Sequence, residues 1–69
     1  MKIEYDPRSD LLYVNFAANY VKAARTETVA PGVHIDFDRD GKVIGIEVLD
    51  ASEVIGTNPQ VELALGVAS

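Results

Sequence analysis

Apolar and polar residues alternate most clearly in the middle of the chain. Val33, Ile35 and Phe37 alternate with His34, Asp36 and Asp38, and after Asp40-Gly41 the residues Ile44, Ile46 and Val48 resume the pattern. Period two on both sides of Asp-Gly predicts a β-hairpin. With Asp40 and Gly41 as the central pair of a type I′ turn, Arg39 faces Lys42, and the pairs Phe37:Ile44, Ile35:Ile46 and Val33:Val48 follow. All six apolar side chains then share one face, which a slip of one residue would scatter. The other face carries His34 opposite Glu47, Asp36 opposite Gly45 and Asp38 opposite Val43.

A second hairpin precedes it. Ile3 and Tyr5 alternate with Lys2 and Glu4, and Leu12, Val14 and Phe16 alternate with Leu11, Tyr13 and Asn15. Asp6-Pro7-Arg8-Ser9-Asp10 between them is turn chemistry, because Asp bonds its own backbone and Pro presets φ. Pairing Tyr5 with Leu12 and Ile3 with Val14 continues the apolar face, and Tyr13 lies on the opposite face beside Glu4. Residues 17–20 read as a loop. Residues 22–29 read as an edge strand, with Arg25 and Glu27 on its outer face blunting the edge. Pro31-Gly32 suits the central pair of a type II turn.

After Leu49 the period changes. Asp50 and Ser52 are both N-cap residues, and residues 51–55 can form a short helix stopped by Gly56. In the tail, Asn58-Pro59 is a helix start signal, yet Val61, Leu63, Leu65 and Val67 also alternate as a strand would, so residues 59–67 fit either form. The whole reading is a mainly β, α+β fold: a single domain over residues 1–69, with a five-stranded antiparallel meander over 2–49, a short helix and cap over 50–56, and an unassigned tail over 57–69. The strands are expected near 2–5, 11–16, 22–29, 33–38 and 43–49. The sheet presents more apolar surface than one or two helical turns can hide, which predicts packing of the tail, a second subunit or both. A homodimer is the expected state.

Size points the same way, because a chain of 69 residues buries only about 60% of its unfolded surface. The hydrophobic fraction of 48% and charged fraction of 25% are those of a globular chain rather than a disordered one. With no cysteine, disulfides, zinc thiolates and thiol nucleophiles are excluded. No stretch approaches the roughly 18 uninterrupted apolar residues of a membrane span, and the N-terminus lacks an apolar leader core. A cytoplasmic location is expected. The net charge of −5, with six dispersed basic residues, argues against nucleic acid as a partner for the chain acting alone. It favours a basic protein partner or a cation.

One motif carries candidate chemistry. Asp36, Asp38, Asp40, Gly41 and Glu47 match the calcium-loop pattern D-x-[DN]-x-[DN]-G-x5-E. A true loop of that kind lies between helices and wraps one ion, whereas these flanks alternate as strands, so the acids spread along a hairpin face. Asp36, Asp38, Asp40 and Glu47 are nevertheless the candidate metal ligands. His34, the sole histidine, stands beside Glu47 as either a surface pair or an acid-base group. Tyr13, His34, Asp36 and Glu47 form the candidate interaction face. No nucleophile accompanies His34 and no phosphate-binding glycine loop is present, so neither catalysis nor a cofactor is implied. Gly45, facing Asp36, leaves room for a ring or backbone to approach closely.

The chain also carries a family resemblance. Y-D-x-x-x-D-x-L-Y-V (Tyr5 to Val14), T-x-x-V-A-P-G-V (Thr26 to Val33) and D-x-D-x-D-G-x-V-I-G-I-E-V-L-D-A-S (Asp36 to Ser52) resemble the small prokaryotic family known as domain of unknown function 2283. The G-I-E-V-L-D-A-S end is the most specific part, and the tail from Gly56 lies outside the shared pattern. Phe16 and Phe37 stand where other large apolar residues are usual. The resemblance implies a compact β-meander with a short C-terminal helix and no established activity. Some relatives are encoded beside small toxin-like proteins, which implies, by association, an antitoxin-like role. The functional expectation is therefore a small binding or regulatory module, the alternative being a domain responsive to a divalent cation or ligand through its acidic hairpin face.

Overall fold

Five strands follow from the alternation just described, and their order comes from which edges of the two hairpins pair. A computed structural model of the protein describes residues 1–17 and 21–56. The strands are β1 (Lys2–Asp6), β2 (Leu11–Asn15), β3 (Arg25–Ala30), β4 (Val33–Phe37) and β5 (Val43–Val48), followed by a single-turn helix, α1 (Ala51–Val54). They form one antiparallel sheet in the order β1-β2-β5-β4-β3. β5 lies at the centre and joins the two hairpins, which the alternating pattern of each hairpin alone did not specify. The helix-or-strand question for residues 59–67 lies outside the described residues.

Cross-strand register sorts the side chains into rows. One apolar row runs Tyr5, Leu12, Val48, Val33, Ala30, and the next runs Ile3, Val14, Ile46, Ile35, Glu27. A third holds Phe16, whose N–H bonds the Ile44 carbonyl, together with Ile44, Phe37 and Arg25. The opposite face carries Glu4, Tyr13, Glu47, His34 and Thr28 in one row, and Lys2, Asn15, Gly45, Asp36 and Thr26 in the next. The first hairpin keeps its expected pairs, Ile3 with Val14 and Tyr5 with Leu12.

The central turn departs from the expected type I′ form. Asp38 accepts the N–H groups of Asp40 and Lys42 on its carboxylate, both at 2.9 Å, and Gly41 N–H bonds the Asp38 carbonyl at 3.0 Å. Arg39 and Asp40 thus become the central pair, and Gly41 follows with φ of 82°. This is the three-residue hairpin connection, a turn followed by a left-handed glycine. The extra residue is absorbed as a bulge, so Phe37 pairs with Val43 and not Ile44, while Ile35:Ile46 and Val33:Val48 stand as expected. Asp38 therefore leaves the ladder. β4 ends at Phe37, whose carbonyl still accepts the Ala24 N–H at 2.8 Å, and β3 begins at Arg25 instead of residue 22.

Arg25 and Glu27 also sit differently from expectation. Register places them opposite Phe37 and Ile35, on the apolar face. The Arg25 guanidinium lies 4.3 Å from the Phe37 ring centre, and its nitrogen is 3.8 Å from the Glu27 carboxylate. Inward-pointing charges, with the bulge between Thr28 and Ala30, still guard this edge against stray strand pairing. Pro31-Gly32 forms the expected tight connection, with Gly32 at φ 77°. A side chain there would also press on the Leu49 carbonyl.

The helix is capped from a distance. Asp50 occupies the N-cap position, but its φ of 50° is left-handed and its side chain makes no capping bond. Asp10, in the first hairpin's loop, supplies the cap: its carboxylate accepts the Ser52 N–H at 3.0 Å and the Ser52 hydroxyl, and its carbonyl accepts the Ala51 N–H at 2.8 Å. Tyr5 donates its hydroxyl to the same carboxylate at 2.7 Å. At the other end of α1, Val54 approaches Gly32. The helix thus sits at the Val48 end of the sheet, where Val48 and Ala51 are buried while Tyr5 stays exposed.

Candidate functional site

The polar face holds most of the residues singled out from the sequence. Gly45 is buried because the Tyr13 ring lies over it: a Cβ built there would stand 2.2 Å from the tyrosine oxygen. That approach lets the Tyr13 hydroxyl reach diagonally to Asp36 Oδ2 at 3.3 Å. Thr26 donates to the other oxygen of the same carboxylate. In the adjoining row, Thr28 Oγ1 and His34 Nδ1 are 2.8 Å apart, and Glu47 stands between His34 and Tyr13 in the register. Tyr13, His34, Asp36 and Glu47 therefore do share one surface. Thr26 and Thr28, which complete its hydrogen bonds, were missed because the alternation of β3 alone does not say which of its sides faces Asp36.

The four candidate metal ligands are not brought together. Asp36 faces Tyr13 and Thr26, Glu47 lies in the neighbouring row, and Asp38 and Asp40 belong to the turn. Among the described residues, no group of three or more His, Cys, Asp or Glu side chains is placed to hold a metal ion. The spacing that spells a calcium loop is spent here on a hairpin turn and two strand positions.

The second cluster is Tyr5, Asp10 and Ser52. Ser52's hydroxyl and then Tyr5's hold the Asp10 carboxyl below the ordinary carboxylate range, and the same bond pushes the Tyr5 phenol up. Asp6 is lowered by the Arg8 N–H and then by the Ser9 hydroxyl, the turn bonding expected of that loop. No local sequence signal could reveal the Asp10–Ser52 link, which joins residues far apart in the chain. An open depression of about 550 Å³ lies between Lys22 and Arg39, near Asp38 and Asp40. It brings charges of both signs together and shows no convergent catalytic set.

The apolar face is the least complete surface. Among the described residues its buried members are Ile44, Val48 and Ala51, all beside the central strand or the helix. Val14, Ile46 and Ile35, in the middle of the face, are only half-buried, and Ile3, Tyr5 and Phe16 are 42%, 52% and 39% exposed. A sheet face of this composition is half of a core.

The family described as protein of unknown function (DUF2283) matches the chain over residues 2–52. No curated protein and no solved structure matches it. No helix among the described residues is long and apolar enough to cross a membrane.

Proposed function

Because the chain belongs to the DUF2283 family, whose function is unknown, its activity must be read from its own surfaces, and we propose a small protein-interaction module that works through its open apolar sheet face. One observation carries this reading: Val14, Ile46 and Ile35 sit at the centre of an apolar face yet remain half-buried. Each such side chain, already half-buried, forgoes roughly half of the about 1.5–3 kcal/mol that full burial from water supplies. The opposite face is acidic and hydrogen-bonded, and with the net charge of −5 it supports a basic protein as a second, heterologous partner. An antitoxin-like regulator would use that arrangement, associating through one face and presenting acids on the other.

The test is Ile35→Lys in the full chain, with Glu47→Gln on the polar face as control. Wild type is expected to show either a mass above that of the monomer or uptake of an apolar dye. Ile35→Lys should weaken any self-association about 30-fold or more and reduce dye uptake, with the circular dichroism of the sheet retained. A wild-type monomer that takes up no dye would refute the reading.

A further inference from the structure

The structure also indicates what covers the face. We propose that the occupant is a second copy of this chain, packed face to face about a two-fold axis that crosses the strands between the Val14 row and the Phe16 row. This inference rests on the reading of the apolar face as an interaction surface. Among the described residues, Val48 of the Tyr5 row is already buried beside Ala51 of α1, whereas the Val14 and Phe16 rows carry, besides the buried Ile44, the half-buried Val14, Ile35 and Ile46 and the exposed Ile3 and Phe16. A two-fold axis between those two rows lays each on the other.

Two independent features fit that operation. The first is size. Val14 meets the partner's Phe16 and Ile35 meets the partner's Phe37, so in these two pairs a ring faces a smaller side chain, as interdigitating layers require, and Ile46 meets the partner's Ile44. The second is charge. Arg25 closes the Phe16 row and Glu27 closes the Val14 row on the same edge strand, so the exchange sets Arg25 over the partner's Glu27, and by symmetry does so twice. Other placements fail on the same residues. An axis through the Val14 row would oppose Glu27 to the partner's Glu27, and an axis along the strands would lay Glu27 on the partner's Ile3 and set no carboxylate opposite Arg25. In the single chain the two charges face each other at 3.8 Å, and this register adds the partner's opposite charge to each.

Charge reversal tests this without touching the core, because Arg25 and Glu27 are more than half exposed in the single chain. Sedimentation equilibrium on the full chain should show a dimer. Arg25→Glu alone and Glu27→Arg alone should each raise the dimer dissociation constant by about tenfold or more through like-charge contacts. Mixing these two variants should restore dimers composed of one of each, and the double reversal should restore the homodimer. A dimer indifferent to these reversals would overturn the register. A wild-type monomer that still takes up apolar dye would overturn the second copy as occupant and leave the open-face reading standing. A monomer that takes up none would overturn both.

Discussion

On the polar side of the sheet, Asp36 is met by hydroxyls from Tyr13 and Thr26 and His34 by Thr28. On the other side, built by the same strands, Val14, Ile35 and Ile46 have no comparable cover among the described residues. The difference follows from the physics of the two kinds of surface. A polar face can be completed within one layer, since hydrogen bonds run sideways between neighbouring strands and water serves the rest. An apolar face is completed only by a second layer, and among the described residues the single-turn helix supplies one only beside Val48. The two faces thus differ in kind, one completed within the single chain and the other, in the reading proposed above, completed by a second layer.

That division is tested most severely at Gly45, where the polar face depends on an absent side chain. Gly45→Val would drive a Cβ into the Tyr13 ring, displacing it and breaking its bond to Asp36. The expected cost is about 2–3 kcal/mol, which in a domain this small lowers the melting temperature by roughly 10 °C or more. The companion variant Tyr13→Val removes the ring. In that background Gly45→Val should cost little, or even stabilise, because valine is the better strand former. The coupling in a double-mutant cycle is the measurement, and additive costs would show that the ring over Gly45 does not hold the polar face together.

Asp10 gives a smaller effect with a distinctive pH dependence, and it acts on the other face. Its folded-state pKa lies below the ordinary value of 3.8. Its contribution is therefore present above that value and is lost as the pH falls through the lowered one. Tyr5 lies above its ordinary 10.0, so the same hydrogen bond persists below that value and is lost as the pH rises through the raised one. Stability from this cluster should form a plateau with an acid shoulder below about pH 4 and an alkaline one above about pH 10. Asp10→Asn should flatten the acid shoulder in melting curves taken from pH 5 to pH 2. Hydrogen exchange at Ala51 and Ser52 should also quicken, since both amides bond Asp10. Unchanged protection there would mean that the helix holds its place over the Tyr5 row without the cap.

The sheet was legible in the sequence because alternation is a local signal repeated in each strand. Ile3:Val14, Tyr5:Leu12, Ile35:Ile46 and Val33:Val48 all follow from it. The turn at Asp38 was not, since Asp-Gly serves both a two-residue connection and a three-residue one. The choice rests on a carboxylate bonding two backbone amides, which alternation does not record. Asp10 was read as a turn residue and Ser52 as a cap, and each reading missed that the two belong together, because they stand 42 residues apart in the chain. Gly45 was the exception: a glycine in a strand facing Asp36 signalled a close approach, and the approaching group is the Tyr13 ring.

The finest distinction lies within the polar face, between two threonines on the same edge strand. Thr26 and Tyr13 both bond Asp36, whereas Thr28 is the hydroxyl at His34 Nδ1. Thr28→Val removes one exposed neutral bond, worth about 0.5 kcal/mol, and should shift the melting temperature by only about 2–4 °C. Thr26→Val removes a bond to a charged acceptor, the stronger kind, so its shift should be larger. Tyr13 limits that loss by remaining on the second oxygen, and Tyr13→Phe in the Thr26→Val background should therefore cost more than it does in wild type. Equal costs in the two backgrounds would mean that the two hydroxyls act on Asp36 independently, and the polar face would then be a set of separate pairs instead of a shared network.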